Sequence, residues 1–427
     1  MPTLTQSKSL RYGTFFYLYV MQGLPSGFAL TTLTNYLAGR GLSAADIARF
    51  GALVGLPWGF KFIWGPLVDR YQHSAMGRRR PWVLLAQTMA FGASLGLLLI
   101  TDPVQELNTL TIAFVLHGVF ASLQDVSVDA LAITVVPEGE RGRVNALMKG
   151  GMITGQALGS AGLALVLSQA GFQTAALLQS VVLGGLLLLT LCIREEPSHA
   201  WLSLRARLIK TEKGESASLT VLLRTLARAM LARPGLQVFL AVALIFLAER
   251  LFQRVFTLDL IQRLGWTHTA VSVLGGTYGT LLAVSVALVV GWLSDRLGAL
   301  PLLRMVTLVM SLCVLGYSLA GAQWMNPVVA TGGLVGRQTF ESVFSIAALP
   351  VLMSLCQRSV AGAQFGFYMA LSNQADVVGI YGSGLLYPHV PAPVVGIGCG
   401  VVMALAGLLL VSANRPTGRI AVLTKRG

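Results

Sequence analysis

Long apolar stretches, separated by short polar segments, run along almost the whole chain. Most have about 20 residues or more, the length that an α-helix needs to cross the roughly 30 Å hydrocarbon layer of a bilayer. We predict an all-α integral membrane fold with twelve spanning helices, α1–α12, over residues 12–37, 44–67, 82–101, 110–136, 144–168, 174–193, 236–262, 268–293, 301–321, 327–356, 361–386 and 393–412. Within α1, Gly23, Pro25 and Gly27 predict a break, since Gly and Pro weaken a helix interior.

The composition agrees with this pattern. Hydrophobic residues make up 55% of the chain and charged residues 11%, and the mean hydropathy is +0.71. Such values exclude an ordinary soluble domain. The net charge of +14 comes from Lys and Arg that collect in loops on one side of the predicted helices, so it indicates topology rather than nucleic-acid binding. We expect a membrane protein with both termini in the cytoplasm.

A short motif recurs at corresponding places in the chain. Gly65-Pro-Leu-Val-Asp-Arg70 follows α2, and Gly291-Trp-Leu-Ser-Asp-Arg296 follows α8. The repeat predicts two pseudo-symmetric six-helix bundles at 1–193 and 235–414, a basic linker at 194–234 and a tail at 415–427. These residues resemble the signature loop of the major facilitator superfamily. The resemblance implies a gating role for Asp69, Arg70, Arg78, Asp295 and Arg296. The alternative for the arginines is that they are only a topology signal.

Two carboxylates lie four residues apart in α4. Asp125 and Asp129 therefore share one helical face, in a segment otherwise apolar enough to cross a bilayer. An Asp at the centre of a membrane helix costs roughly 3 kcal/mol on insertion scales. Such residues usually mark an ion or substrate path. We predict a proton-coupling role for both; the alternative is that they only neutralise buried cations.

Further polar and aromatic residues fall inside the predicted helices. Proton coupling is also predicted for Glu249, Glu341 and Asp376. Several alternatives stay open: a structural network of Glu249, Arg250 and Glu341, and mutual neutralisation of Arg337 and Glu341 across one turn. Lys61 is expected either to snorkel to the interface or to form a buried pair with a carboxylate. Contacts to a substrate are predicted for Gln22, Lys61, Gln124, Arg250, Phe252, Gln253, Arg254, Arg337, Phe340 and Tyr368.

Four stretches of the N-terminal half resemble AmpG-type muropeptide permeases and their acetyl-CoA transporter relatives. They are Tyr19-Val-Met-Gln-Gly-Leu-Pro-Ser-Gly27, Val54 to Arg70, Gly77-Arg-Arg-Arg-Pro-Trp82 and Gln124-Asp-Val-Ser-Val-Asp129. The C-terminal half departs from that group in α7, at Leu247-Ala-Glu-Arg-Leu-Phe-Gln-Arg254. In its length and in this stretch of α7, the chain is more similar to the RhtX/FptX-type siderophore transporters, which the YbtX type also resembles.

The resemblance implies a proton-coupled secondary transporter of the bacterial inner membrane that imports a siderophore or its ferric chelate by alternating access. The alternative is an AmpG-type permease for anhydro-muropeptides, whose sugars and carboxylates would prefer a more polar cavity. A non-transporting receptor is a more distant alternative. The sequence has no Walker loop, nucleophile–base pair or metal-ligand cluster, so we expect no enzyme, cofactor or bound metal. The expected partners are the substrate, protons and the lipid bilayer, and the chain is expected to be a monomer.

Overall fold

The computed structural model describes residues 3–70, 74–137, 140–201, 227–228, 230–356 and 361–412, and their regular structure is almost entirely helical. The helices of the first half are α1 (Lys8–Gly27, a π-helical turn Phe28–Leu33, and Thr34–Gly39), α2 (Ala44–Gly59, a 3-10 turn Lys61–Ile63, and Trp64–Arg70), α3 (Arg80–Leu95 with a 3-10 turn Gly96–Leu99), α4 (Leu107–Val135), and α5 with α6 (Arg141–Ala157, a π-helical turn Leu158–Gly162, and Leu163–Leu191). The non-helical Gly171, with φ 82°, divides α5 from α6.

The second half repeats this arrangement. Its helices are α7 (Arg233–Gln262), α8 (His268–Val273, a π-helical turn Leu274–Gly279, and Thr280–Leu297), α9 (Ala299–Leu319), α10 (Pro327–Ser354), α11 (Ala361–Leu386) and α12 (Ala392–Ser412). Each predicted helix therefore has a counterpart among the described residues. Most of the predicted linker and the whole predicted tail lie outside the described residues, so the domain boundaries stay a prediction.

Six helical stretches of the described residues are long and apolar enough to cross a membrane. They are Arg80–Leu99, Leu107–Val135, Arg143–Leu191, Gly235–Gln262, Ala299–Leu319 and Ala392–Ser412. The helices outside this set, α1, α2, α8, α10 and α11, all contribute residues to the cavity described below. The chain is a multi-pass membrane protein, and the count of twelve spans stays a prediction.

The predicted break in α1 is absent. The helix continues through Pro25, and the irregularity comes one turn later, as the π-helical turn Phe28–Leu33. Gly23 and Gly27 have a packing role instead: a Cβ on either would collide with backbone atoms of α5, at Met152 and Gln156 respectively. The glycines thus permit a close helix–helix approach and do not end the helix.

The contact between α1 and α5 is backbone against backbone along several turns. Gly151, Gly155 and Gly159 of α5 supply its other side, and a Cβ on any of them would collide with backbone atoms of α1. Small residues at such a seam let membrane helices approach closely, because van der Waals packing rather than hydrophobicity drives their association. We expect α1 and α5 to keep their mutual position when other helices move.

A break does occur in α2, where a single helix was predicted. Pro57 lies inside its first part, and the backbone leaves the α-helical geometry at Phe60 before the 3-10 turn Lys61–Ile63. Proline removes a backbone donor and disturbs the turn around it. The turn positions Lys61 against α4, where its side chain pairs with Asp125.

The two halves are joined by hydrogen bonds near the α1–α2 and α7–α8 loops, a region called the outer side below. The amide of Asn35 donates to the Ser272 hydroxyl at 2.9 Å, and the amide of Gln262 donates to the Leu42 carbonyl at 2.8 Å. Nearer the middle, the amide of Asn373 donates to the Trp58 carbonyl at 3.1 Å, where α11 packs along α2. The halves are therefore held together on the outer side. The opposite side, which carries the α2–α3 loop and residues 192–201, is called the linker side.

Candidate functional site

A cavity of about 340 Å³ lies between the two halves. Its wall is formed by α1, α2 and α5 of the first half and α7, α8, α10 and α11 of the second. Trp58 is the one aromatic residue among its described lining residues, and the other 25 comprise 15 polar or charged residues and 10 apolar residues or glycines. The uncharged polar residues are Ser26, Thr31, Asn35, Gln156, Ser160, Gln253, Thr257, Thr280, Gln338 and Asn373, and the charged ones are Arg250, Arg254, Arg337, Glu341 and Asp376.

The α7 side of the cavity follows a helical period. Arg250, Gln253, Arg254 and Thr257 have the spacing i, i+3, i+4, i+7, and all four line the cavity. Phe252 lies two residues from Arg250, about 200° around the helix, and is buried in the bundle core. The same periodicity applied to the sequence would have separated these two groups.

Arg250 is the centre of a charged network that spans three helices. Its Nη2 donates to Glu341 Oε1 of α10 at 2.7 Å and lies 3.4 Å from Asp376 Oδ2 of α11. Its Nη1 donates to the Gln253 side chain at 2.5 Å. The predicted substrate contact and two of the predicted proton carriers are thus brought together at one guanidinium. Within the described residues, no cluster of His, Cys, Asp and Glu is arranged to hold a metal ion.

The predicted neutralisation of Arg337 by Glu341 is wrong. Arg337 Nη1 instead lies 3.4 Å from Glu249 Oε1 of α7, and Glu341 pairs with Arg250. The Arg337 guanidinium also lies 5.9 Å from the ring centre of Phe252 and 5.7 Å from that of Phe256. The partners come from α7, which the spacing along α10 alone could not reveal. The alternative of a structural network remains compatible with these contacts.

Arg254 differs from the other two cavity arginines. Its Nη1 donates to the Thr34 hydroxyl of α1 at 2.9 Å, so it links the two halves. Its Nε is buried and has no hydrogen-bond partner among the described residues. No carboxylate of the described residues lies within 4.0 Å of it.

The aromatic residues predicted to contact a substrate lie away from the cavity. Phe252 packs against Phe256 and Trp324, and Tyr368 is fully buried with its ring 4.9 Å from that of Phe239. Phe340 packs against the same core. Phe252 and Tyr368 fill the interior of the second bundle, and Phe340 is partly buried against it. The described cavity therefore offers no aromatic cage for a phenolate ligand.

Three polar residues of the first half, predicted to contact a substrate, are also absent from the cavity lining. The Gln124 amide donates to the Leu18 carbonyl at 3.1 Å inside the bundle. Gln22 is buried, and its side-chain amide has no partner among the described residues. Lys61 pairs with Asp125 in the same bundle.

The two α4 carboxylates have different surroundings. Asp125 is buried and accepts a hydrogen bond from Lys61 Nζ at 3.0 Å, so it neutralises a partly buried cation, and Lys61 does not simply snorkel. Asp129 is exposed and accepts a hydrogen bond from the Tyr19 hydroxyl at 2.6 Å. Tyr19 was missed as a site residue because its role depends on α1 packing against α4. The proton-coupling role of the pair stays a prediction.

The predicted gating residues lie on the linker side. The side chains of Asp69, Arg70 and Asp295 are outside the described residues. The Arg296 side chain is exposed, as is that of Arg78. The gating role stays a prediction for all five.

Glu195 organises this part of the first half and was not singled out in the sequence. Its buried carboxylate accepts hydrogen bonds from the backbone N–H groups of Arg78, Arg79 and Arg80 at 3.1, 2.9 and 2.6 Å. An acidic side chain at the start of a helix satisfies donors that have no intrahelical acceptor. Glu195 therefore attaches the segment after α6 to the start of α3.

Three π-helical turns meet at the outer end of the cavity. The turn Leu158–Gly162 packs against both Phe28–Leu33 and Leu274–Gly279, and each of the three turns contributes lining residues. The Thr32 hydroxyl donates to the Gly159 carbonyl at 2.8 Å. Between α5 and α8 the contact is close: a Cβ on Gly276 would lie 3.0 Å from Ser160 Cβ. Such turns are frequent at functional sites, and here they form the outer wall.

Comparison with known proteins agrees with this architecture. Residues 13–380 match the family described as Major Facilitator Superfamily. The anhydromuropeptide permease of Escherichia coli (strain K12) is 27% identical over 354 residues, covering 82% of this chain and 69% of that protein. The nucleoside transporter NupG has a TM-score of 0.68 at 13% identity, covering 94% of this chain and 98% of that one. The D-xylose-proton symporter has a TM-score of 0.68 at 14% identity, covering 94% and 97%. These structural likenesses concern the fold alone.

Proposed function

The chain belongs to the Major Facilitator Superfamily, and from this membership we propose that it imports an anionic sugar–peptide of the anhydro-muropeptide class together with protons. Its fold and its relatives are those of secondary transporters and not of enzymes. The proposal concerns the substrate, the coupling ion and the direction of transport.

The observation that supports this substrate class most directly is the polar lining of the cavity. Sugar hydroxyls and peptide groups need many hydrogen-bonding partners, and serine, threonine, asparagine and glutamine side chains supply them around the whole wall. Trp58 offers one ring on which a sugar face can pack. The relative described as an anhydromuropeptide permease supports the same class. The alternative function predicted from the sequence is therefore preferred over siderophore import.

Charge balance supports proton coupling. Three arginines, Arg250, Arg254 and Arg337, face three carboxylates among the described residues at the cavity and just behind it. An anionic substrate adds negative charge to this balanced set, in a region where unbalanced charge is costly. A proton taken up by Glu341 or Asp376 offsets that charge and loosens the hold of this carboxylate on Arg250.

The positive-inside pattern orients the protein with the linker side in the cytoplasm. The hydrogen bonds between the halves then lie on the periplasmic side, as in an inward-facing conformation. Alternating access requires these outer contacts to break while contacts on the linker side form. The gating role predicted for Asp69 and Asp295 belongs to that second step.

Uptake measurements in cells with and without this gene test the proposal. Cells that carry the gene should accumulate a radiolabelled anhydro-muropeptide, and an uncoupler should abolish the accumulation. A variant that replaces both Glu341 and Asp376 by their amides should lose accumulation and keep exchange of internal for external substrate. Equal uptake in the two strains would contradict the substrate class.

A ferric siderophore is the second candidate and belongs in the same assay. It is favoured by the arginine-rich face of α7, since Arg250 and Arg254 lie in the stretch where we interpret the resemblance to muropeptide permeases as ending. Accumulation of a labelled ferric siderophore without accumulation of the muropeptide would establish this candidate instead.

A further inference from the structure

Arg254 has one hydrogen-bonding edge that the protein leaves unused. Its Nη1 is taken by Thr34, while its buried Nε has no partner among the described residues. A buried donor without an acceptor is costly, and an unpaired guanidinium inside a membrane protein is more so. The unused edge consists of Nε and Nη2, which project two parallel N–H groups.

Other arginines of this chain show what that edge binds. Arg263 donates from Nε and Nη2 to the two carboxylate oxygens of Asp259, both at 2.7 Å. Arg11 donates from the same two nitrogens to Glu140 Oε2, at 3.2 and 2.9 Å. The geometry matches a carboxylate because its two oxygens are spaced like the two N–H groups.

The other cavity arginines already have their anions. Arg250 is held by Glu341 and Asp376. Arg337 also has an unpartnered Nε, but its charge is balanced by Glu249 at 3.4 Å and its guanidinium lies over two phenylalanine rings. Arg254 is thus the cavity guanidinium without a carboxylate among the described residues.

Thr34 fixes the orientation of Arg254. The Thr34 hydroxyl donates to the Leu30 carbonyl at 2.9 Å, which leaves its lone pair for Arg254 Nη1. The Nε–Nη2 edge of Arg254 is therefore oriented before any ligand arrives, and less side-chain freedom is lost on binding.

We propose that the Nε–Nη2 edge of Arg254 binds a carboxylate of the transported substrate. This rests on the proposed function, since it assigns a role within the same cavity. It makes Arg254 a specificity-determining residue that selects substrates with a free carboxylate and rejects their neutral derivatives. Arg250 is left to the coupling network.

Equilibrium binding to the purified full chain in lipid nanodiscs tests the assignment. The probes are an anhydro-muropeptide and a series in which one carboxylate at a time is converted to an amide. The wild-type protein should bind the acid at least about tenfold more tightly than one member of the series, the usual scale for a charge-assisted pair. Arg254→Gln should bind both compounds alike, with the affinity that the wild type has for that amide.

Three variants separate this role from a structural one. Arg263→Gln, at the residue that directly follows α7 and outside the cavity, should keep the discrimination. Thr34→Val should weaken binding of the acid and keep the preference for it, because the charge remains and only its orientation is lost. If Arg254→Gln folds poorly, Arg254→Lys takes its place in the experiment. It keeps the positive charge and should therefore keep part of the preference for the acid.

Two results would overturn the assignment and leave the transport function intact: a wild-type protein that binds acid and amides equally, or an Arg254→Gln variant that still prefers the acid. If the wild type binds no muropeptide, the proposed substrate class fails, and a ferric carboxylate siderophore with its amides becomes the probe. The wild type should then prefer the siderophore acid to one of its amides, and Arg254→Gln should lose that preference. Absence of binding for every carboxylate-bearing probe refutes the assignment as well.

Discussion

A single methyl group at Gly276 should hold the outer side of the protein open. Gly276 lies in the π-helical turn of α8, directly against Ser160 in the π-helical turn of α5. The Cβ of an alanine there would lie 3.0 Å from Ser160 Cβ and 3.3 Å from the Ala161 amide nitrogen, and would collide with Ser160 Oγ. Because the contact joins the two halves, the collision affects only conformations in which the outer side is closed.

The size of the effect follows from that restriction. Overpacking a close contact costs about 1–3 kcal/mol. If this cost applies to the closed conformation alone, the ratio of open to closed molecules rises roughly 5- to 150-fold. Ser160→Gly removes the atoms that collide, so the double variant should return to the wild-type ratio. Gly275→Ala is the matched control, since a Cβ on Gly275 has no other atom within 4 Å.

Distances between spin labels measure the ratio. Gln105 and Met325 are both exposed on the outer side, one in each half, and can carry labels once the four native cysteines are replaced. Gly276→Ala should broaden the distance distribution toward longer values, whereas Gly275→Ala should not. An unchanged distribution in Gly276→Ala, or a shift that Ser160→Gly does not reverse, would refute the reasoning.

The α4 carboxylates and one surface carboxylate give the remaining predictions. Asp125→Asn should lower the free energy of unfolding by less than the roughly 3–5 kcal/mol of a fully buried pair, because it leaves the partly exposed Lys61 unpaired, and Lys61→Met in the same chain should recover most of the loss in melting experiments. Asp129→Asn should melt like the wild type, since it is exposed and its amide oxygen still accepts from Tyr19, yet it should lose proton-driven accumulation; full accumulation would contradict its coupling role. Hydrogen bonds from the backbone at Asp102, and then from the backbone and hydroxyl of Thr101, lower the pKa of Glu106. Its stabilisation should be present at neutral pH and lost as the pH falls through that lowered value, so the melting difference between wild type and Glu106→Gln should disappear in acid.

The helices could be predicted from the sequence because membrane crossing is a local property. An apolar run of sufficient length is enough, and α4, α7 and α12 have nearly the predicted bounds. Local reasoning failed where a residue type has two uses. Gly23 and Gly27 were assigned to a break, but they serve the contact with α5, which no spacing along α1 discloses.

The site was predicted only in part for the same reason. Arg250, Gln253, Arg254, Arg337, Glu341 and Asp376 line the cavity as intramembrane polar residues were expected to do. Their pairing was not predictable, since Arg250 meets residues that are 91 and 126 positions away in the chain. Phe252 and Tyr368 do not line the cavity, although they lie near cavity residues in the sequence. Closeness in sequence does not give two residues the same helix face.

The glycine seam between α1 and α5 has a mechanical consequence. Through α1 the pair carries Thr34 and Asn35, which bond to α7 and α8, and through α5 it carries Ser160, which touches Gly276. A backbone-to-backbone contact leaves little room for one helix to slide on the other. The contacts of Thr34, Asn35 and Ser160 with the second half are therefore carried by one rigid pair of helices. They should release in a single cooperative event, and the opening of the outer side should follow one exponential phase with no half-open intermediate.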